Sequence, residues 1–335
     1  MHPALQGLIT IALGVGGCLG YFWLSNQILD KVIFPPRGKD IGKNINRANL
    51  VRPWLFLFPA LVALGLYLAY PVVETLRLSF SDRVAGGGYE FAGIDNYTQM
   101  VSEPKFWEAL RNNFFWLLIV PAASTGFGLL AAQLTDRIRW GNIAKSLIFM
   151  PMAISFVGAA VIWKLVYDAR PVGQEQIGVM NALWLWFGGE EPVTWLTVLP
   201  WNNIFLMVVL IWIQTGFAMV ILSAALRGIP EETIEAAIVD GAGPFQIFFK
   251  IKLPQISGTI VVVWTTITLV VLKVFDIVFA MTNGQWETQV LANYMFDKLF
   301  RANDWGVGSA AAMVIMLLVT PILVWNVRNA RREMK

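Results

Sequence analysis

Side chains able to carry catalysis are scarce in this chain. It has one histidine, His2, and one cysteine, Cys18, so a His-dependent triad, a His-based metal site and an internal disulfide are all implausible. Two glycine-rich stretches invite a phosphate-binding reading and fail it. "GVGGCLG" sits inside an apolar run with no strand before it, and Gly16 and Gly20 read better as a small-xxx-small helix contact. In "PPRGKDIGKN" three residues separate Gly38 from Gly42 where a phosphate loop needs four, and Asn44 stands where a Mg-binding hydroxyl belongs. The chain is expected to bind no nucleotide, metal or cofactor itself.

Two charges lie inside an apolar run, Lys273 and Asp276. Each weighs roughly 2.5–3.5 kcal/mol against insertion at a helix centre. Spaced by three, they are expected to share a helix face and neutralise one another; an ion or proton relay is the sharper and less favoured reading.

The most unusual stretch is "RGIPEETIEAAIVDGAGPFQIFFKIKLP", ending at Pro254. Pro230 suits a first helical position, Glu231 and Glu232 fall in a first turn where the helix dipole favours anions, and Gly241 suits the position just past a helix end. Ile234, Ala237, Ile238 and Gly241 are expected on one narrow face, with Glu235 on an adjoining one. After the glycine break, Phe245, Phe248, Phe249 and Lys252 recur at three and four, predicting a second short helix with an aromatic stripe that ends at Leu253 and Pro254. Such a helix-turn-helix is too polar to insert and too apolar to be left bare. It must dock on something, either its own bundle or a partner.

The elements around it are membrane spans. Hydrophobic residues make up 57% of the chain and charged ones 14%, against about 25% charged in ordinary soluble domains; mean hydropathy is +0.60. A net charge of +3 is no nucleic-acid footprint. Seven segments are long enough to cross about 30 Å of hydrocarbon: approximately Leu5–Leu24, Trp54–Val73, Phe114–Leu134, Ile143–Tyr167, Ile204–Leu226, Gly258–Met281 and Gly308–Val327. The expected fold is all-α and integral to the membrane. With the Glu235 loop on the cytoplasmic side, the connections on that side hold 16 Lys and Arg against 6 on the other, so the positive-inside rule puts the C-terminus in the cytoplasm and the N-terminus outside. The first span lacks the basic flank of a signal peptide and is read as retained. Residues 26–52 then form a Pro-kinked basic linker near anionic headgroups, and "ALWLWF" reads as an interfacial aromatic anchor.

The quoted loop also resembles a known signature. "EAA", three residues, "G", nine residues and "I-x-LP" mark the membrane subunits of binding-protein-dependent ABC importers, and Glu235, Ala236, Ala237, Gly241, Ile251, Leu253 and Pro254 match it, with Asp240 in the accompanying "DGAG". The trailing proline that usually follows is absent. "FAGIDNYTQM", "KVFDIVFAMTNG" and "GVGSAAAMVIM" look like the carbohydrate, maltose-type branch, and the long linker with "AKSLIFMPMAISFVGAAVIWK" is similar to the alpha-glucoside permeases. "TNGQWETQ" departs from the branch's usual glycine-rich outer loop.

The resemblance implies a type I ABC importer transmembrane domain: an extra helix and linker over residues 1–52, then six helices over 53–335 with a coupling loop at 227–257. It implies a bacterial inner-membrane permease, itself no enzyme, working with a second permease subunit in a heterodimer, two ATPase subunits that use ATP and Mg, and an extracytoplasmic solute-binding protein that delivers a carbohydrate. Glu235 would pair with an arginine of the ATPase. The expected sugar pathway residues are Gln214, Thr215, Phe217, Trp264, Thr265 and Thr268, with Thr266 beside them; interhelical hydrogen bonding is the plainer use of each threonine. Where the branch has polar sugar contacts on the sixth span, Ile267, Val271 and Val274 stand here. An ion-coupled secondary transporter or a channel is the alternative function.

Overall fold

The computed structural model describes residues 3–37, 41–84, 87–136 and 138–333. His2 and Gly38 lie outside them. Two compact units are present, Met1–Glu74 and Thr75–Lys335.

In the first unit, α1 (Pro3–Ile28) runs on through a π-turn to Ile33, and α2 (Ile41–Leu64) leads through a second π-turn to α3 (Tyr70–Ser79). The expected 26–52 linker is therefore largely helical, and Pro35 and Pro36 mark its break. Arg52 donates through one guanidinium nitrogen to both Asp30 oxygens at 2.7 and 2.9 Å, Asn44 donates to the Pro35 carbonyl at 3.0 Å, and the Tyr21 hydroxyl donates to Leu55 O at 2.9 Å. These bonds let the basic segment continue as helix instead of lying loose. Nothing lies within 4 Å of a side chain added at Gly16 or Gly20, so the expected helix contact there is not made among the described residues.

The second unit begins with the end of α3 from Thr75, followed by a hairpin, β1 (Ser81–Arg83) against β2 (Tyr89–Phe91) with Ser81 opposite Phe91. The short α4 (Asp95–Ser102) leads to α5 (Pro104–Thr135). Then come α6 (Gly141–Phe149), α7 (Phe156–Val166), α8 (Val179–Trp186) and α9 (Asn202–Arg227). Helices α5 and α9 pack along one another around Trp116, Val120, Leu206, Leu210, Met219 and Leu222. Their closest approach needs Gly128, because a Cβ there would stand 2.4 Å from the Ala218 Cβ and 2.9 Å from the Met219 nitrogen. Lipid is as apolar as leucine, so close backbone packing of this kind, not water exclusion, holds such helices together.

After α9 come α10 (Glu231–Val239), α11 (Pro244–Gln246), a π-turn at Ile247–Lys252, α12 (Leu253–Gln255), α13 (Ser257–Leu272), α14 (Asp276–Met281), α15 (Leu291–Phe296) and α16 (Trp305–Glu333). Five described runs are long and apolar enough to span: Pro3–Ile33, Ile41–Ser79, Pro104–Thr135, Asn202–Arg227 and Trp305–Trp325. Two bent pairs bring the number to seven: Gly141–Ala153 with Phe156–Val166, at 106°, and Pro244–Gln255 with Ser257–Leu272, at 69°.

The 106° bend and a separate break between α13 and α14 interrupt two of the spans expected from sequence, whereas the 69° bend falls between the loop helix and the next span. Ile143–Tyr167 breaks because Pro151 sits in a 3-10 turn and Ser155 then starts a new helix, its hydroxyl accepting from Gly158 N at 3.0 Å. Gly258–Met281 is interrupted at Lys273–Phe275. Lys273 and Asp276 consequently do not share a helix face and make no ion pair in the described chain. Asp276 instead stands in the first turn of α14, where the backbone dipole favours a carboxylate.

Candidate functional site

The α10 loop is built by local chemistry. Pro230 is the residue before the helix, not its first, and its carbonyl accepts from Thr233 N at 3.2 Å; Glu231 and Glu232 open the first turn. At the other end Gly241 adopts φ +79°. Its N–H donates to Ile238 O at 3.0 Å and that of Ala242 to Ala237 O at 2.9 Å. This pair of bonds is a Schellman stop, which wants glycine at the left-handed position. The next helix starts at Pro244, with the Gln246 side chain accepting from Gly243 N at 3.0 Å. It does not end at Leu253 and Pro254 as expected but continues to Gln255. The π-turn explains this: Leu253 N–H donates to Phe248 O, five residues back, and the widened turn leaves room for the Pro254 ring.

The loop has one inner and one outer side. Ala237 is 8% exposed and Ile234 packs on the core, as does Ile256 at the far end. Ile238 and Val239 face outward, Val239 being 86% exposed, and so do Glu235, Ala236, Asp240 and Gly241. The narrow apolar face expected from spacing thus splits in two. Among the described residues Glu235 has neither hydrogen bond nor ion pair. In the second helix Ile247 is the buried residue, while Phe245 is 81% exposed. Phe245, Phe248 and Phe249 line a groove of about 450 Å³ with Leu130, Gln133 and Leu134 of α5. Ile251 and Leu253 are half-buried and Pro254 is exposed.

A charged knot that sequence reading missed ties the base of this loop to the bundle. Asp136, just past α5, binds Lys145 of α6 and accepts from Arg227 Nε, at the end of α9, at 2.9 Å; Ser223 is within hydrogen-bond distance of both Asp136 oxygens and of Lys145. Burial raises the Asp136 carboxyl, but hydrogen bonds from Lys145 and Arg227, and their charges, more than offset this and hold it below its usual value of 3.8. An acidic residue at the end of one span followed by bases at the ends of two others was the only available signal.

The expected pathway residues are not gathered in one place. Gln214 is 7% exposed, makes no hydrogen bond among the described residues, and lines a cavity of about 390 Å³ at the α6–α7 bend with Ser155, Phe156 and Asp276. Trp264, Thr265 and Thr268 line a different cavity, of about 330 Å³, beside Ile322 and Trp325 of α16. Phe217 packs on the core. The threonine hydroxyls donate back along their own helices, Thr215 to Ile211 O, Thr265 to Val261 O, Thr266 to Val262 O and Thr268 to Trp264 O, all at 2.7–2.9 Å. They do not bridge helices. Ile267, Val271 and Val274 are buried core residues.

Residues 124–334 match the family described as "Binding-protein-dependent transport system inner membrane component". The chain is 62% identical over 337 residues, 99% of each chain, to the alpha-glucoside transport system permease protein AglF of Rhizobium meliloti. It is 46% identical over 281 residues, 84% of this chain and 99% of the relative, to the osmoprotective compounds uptake permease protein GgtC of Synechocystis sp.. In three dimensions it is similar to a chain of a bacterial alginate ABC transporter solved with an alginate pentasaccharide-bound periplasmic protein, with a TM-score of 0.73, 21% identity, and coverage of 89% of this chain and 99% of that one.

Proposed function

From the premise that the chain belongs to the family of binding-protein-dependent transport system inner membrane components, we propose that it is the permease subunit of an ATP-driven importer of an alpha-glucoside or related oligosaccharide. The observation that carries this reading is the α10 loop: a helix-turn-helix with Glu235 unpaired among the described residues and Ile238 and Val239 outward. It is a peg shaped for a soluble partner. That partner is a separate ATPase that holds ATP and Mg, so this chain hydrolyses nothing itself. A second permease subunit of different sequence completes the pathway, and a solute-binding protein delivers sugar on the side opposite the loop. The Lys and Arg bias supports placing the loop and the C-terminus in the cytoplasm.

The sugar contact proposed for this subunit is the cavity at the α6–α7 bend. There Gln214 offers a free amide and Asp276 a carboxylate, beside the apolar face of Phe156. The Trp264 cavity on α13 is the secondary candidate.

The reading is tested with the full complex in proteoliposomes, using radiolabelled maltose or sucrose. Accumulation that requires both internal ATP and the binding protein supports it. Accumulation driven by a proton or sodium gradient without ATP overturns it in favour of an ion-coupled carrier.

A further inference from the structure

At the end of α5 and α9 away from the α10 loop lies a cavity of about 480 Å³, the right size for a disaccharide-sized ligand. It is lined by the rings of Phe115 and Trp201, by the charged Arg111 and Glu287, and by Asn203 and Met207 of α9. Trp201 and Phe115 are exposed, as are the two charged side chains, which face each other with Arg111 Nη2 at 3.1 Å from Glu287 Oε2.

The segment that brings Glu287 to this cavity is held in an unusual shape. Trp286 and Glu287 are neighbouring non-glycine residues at φ +53° and +58°, a region that such residues avoid and that recurs where a ligand is clamped. Three asparagine side chains grip the carbonyls there: Asn112 donates to Glu287 O at 2.8 Å and to Gln289 O at 2.9 Å, Asn203 donates to Glu287 O at 3.0 Å, and Asn202 donates to Trp286 O. The backbone at Glu287 is thereby held where its side chain lines the cavity beside the Arg111 guanidinium. A charged donor and a charged acceptor side by side, with flat apolar rings next to them, suit a neutral polyol, whose hydroxyls both donate and accept and whose C–H faces stack on aromatic rings.

The cavity is also in line with the proposed sugar site. Asn203, Met207, Leu210 and Gln214 follow one another on α9 at spacings of four, three and four, one stripe of the helix. Asn203 and Met207 line the outer cavity, Leu210 a small one that also touches Phe156 and Asp276, and Gln214 the cavity at the bend.

We propose that the Arg111–Glu287–Trp201 cavity is an outer glycoside subsite, which the sugar occupies before it reaches Gln214. This inference rests on the importer reading above.

The test is equilibrium dialysis of radiolabelled maltose, and separately sucrose, against the full complex in nanodiscs without binding protein, run beside ATP-driven uptake. The expected result is a saturable component that weakens at least tenfold in both Trp201→Ala and Glu287→Gln and survives in Gln214→Leu; two dissimilar variants guard against misfolding, checked by elution as an intact complex. Binding isotherms of both variants that superpose on wild type overturn the subsite. So does phospholipid that co-purifies with wild type and is lost in both variants, since the cavity then belongs to lipid. No saturable binding with ATP-driven uptake intact overturns the subsite and leaves the importer reading standing, whereas absent uptake by the wild type overturns both.

Discussion

Arg227, the last residue of α9, donates from Nε to Asp136 just past the end of α5, 91 residues earlier, at 2.9 Å. Lys145 completes the knot from α6. Three spans are thus joined at one carboxylate directly before the chain turns into the α10 loop. If the loop is the coupling peg proposed above, a displacement of it would reach α5 and α6 through this point.

Replacing Asp136 with Asn removes the charge and leaves Lys145, largely buried, without its counter-ion. The expected loss is about 1–3 kcal/mol, below the range for fully buried pairs because Arg227 stays mostly in solvent. Thermal unfolding of the detergent-solubilised chain, followed by tryptophan fluorescence, measures it; an unchanged midpoint contradicts the role.

The same carboxylate sets a pH window. Its folded pKa lies below the unfolded value of 3.8, so its contribution is fully present above 3.8 and is lost as pH falls through the lower folded value. The difference in unfolding midpoint between wild type and Asp136→Asn should be constant near neutral pH and shrink only below about pH 4. A difference that disappears between pH 6 and 8 would show that another group is responsible.

Gly128→Leu should prevent α5 and α9 from closing, since even a Cβ meets Ala218 at 2.4 Å. Overpacking of this kind costs about 1–3 kcal/mol or more. Gly65→Ala, where nothing lies within 4 Å, should cost no stability and can add up to about 1 kcal/mol, since Ala favours a helix over Gly. Size-exclusion profiles and thermal midpoints of the two variants check the contrast.

In the pathway, Gln214→Leu should abolish most uptake while the complex still assembles, because the amide has no structural partner to lose. Thr268→Val should change uptake less than about twofold, as its hydroxyl donates only to Trp264 O on its own helix. Equal losses in both variants would contradict this assignment.

Local chemistry made the α10 loop readable from sequence: Pro230, the first-turn glutamates and Gly241 each act within a few residues of themselves. Which apolar residues would turn inward was not readable, because a spacing of three and four groups Ile234, Ala237 and Ile238 without saying that Ile238 is left exposed. The breaks at Ser155 and Lys273 were hidden inside uniformly apolar runs. There a helix that is apolar all round carries no periodic signal, and Pro151 alone does not say how far the chain bends. That Gln214 and Asp276 line one cavity, and that Asp136 meets Lys145 and Arg227, depends on packing between distant segments, which spacing cannot express.

We propose that Glu235 and Gly241 shape a peg through which a separate ATPase drives import. This is tested most directly by comparing sugar uptake and binding-protein-stimulated ATP hydrolysis of the reconstituted complex for wild type, Glu235→Ala and Gly241→Asp. Glu235→Ala removes an exposed carboxylate that makes no hydrogen bond or ion pair among the described residues, and Gly241→Asp strains the left-handed stop by about 1–2 kcal/mol. The account predicts that both variants insert and fold but lose most uptake and most of the stimulated hydrolysis. Uptake at the wild-type rate in both would contradict it and leave the loop a structural element only.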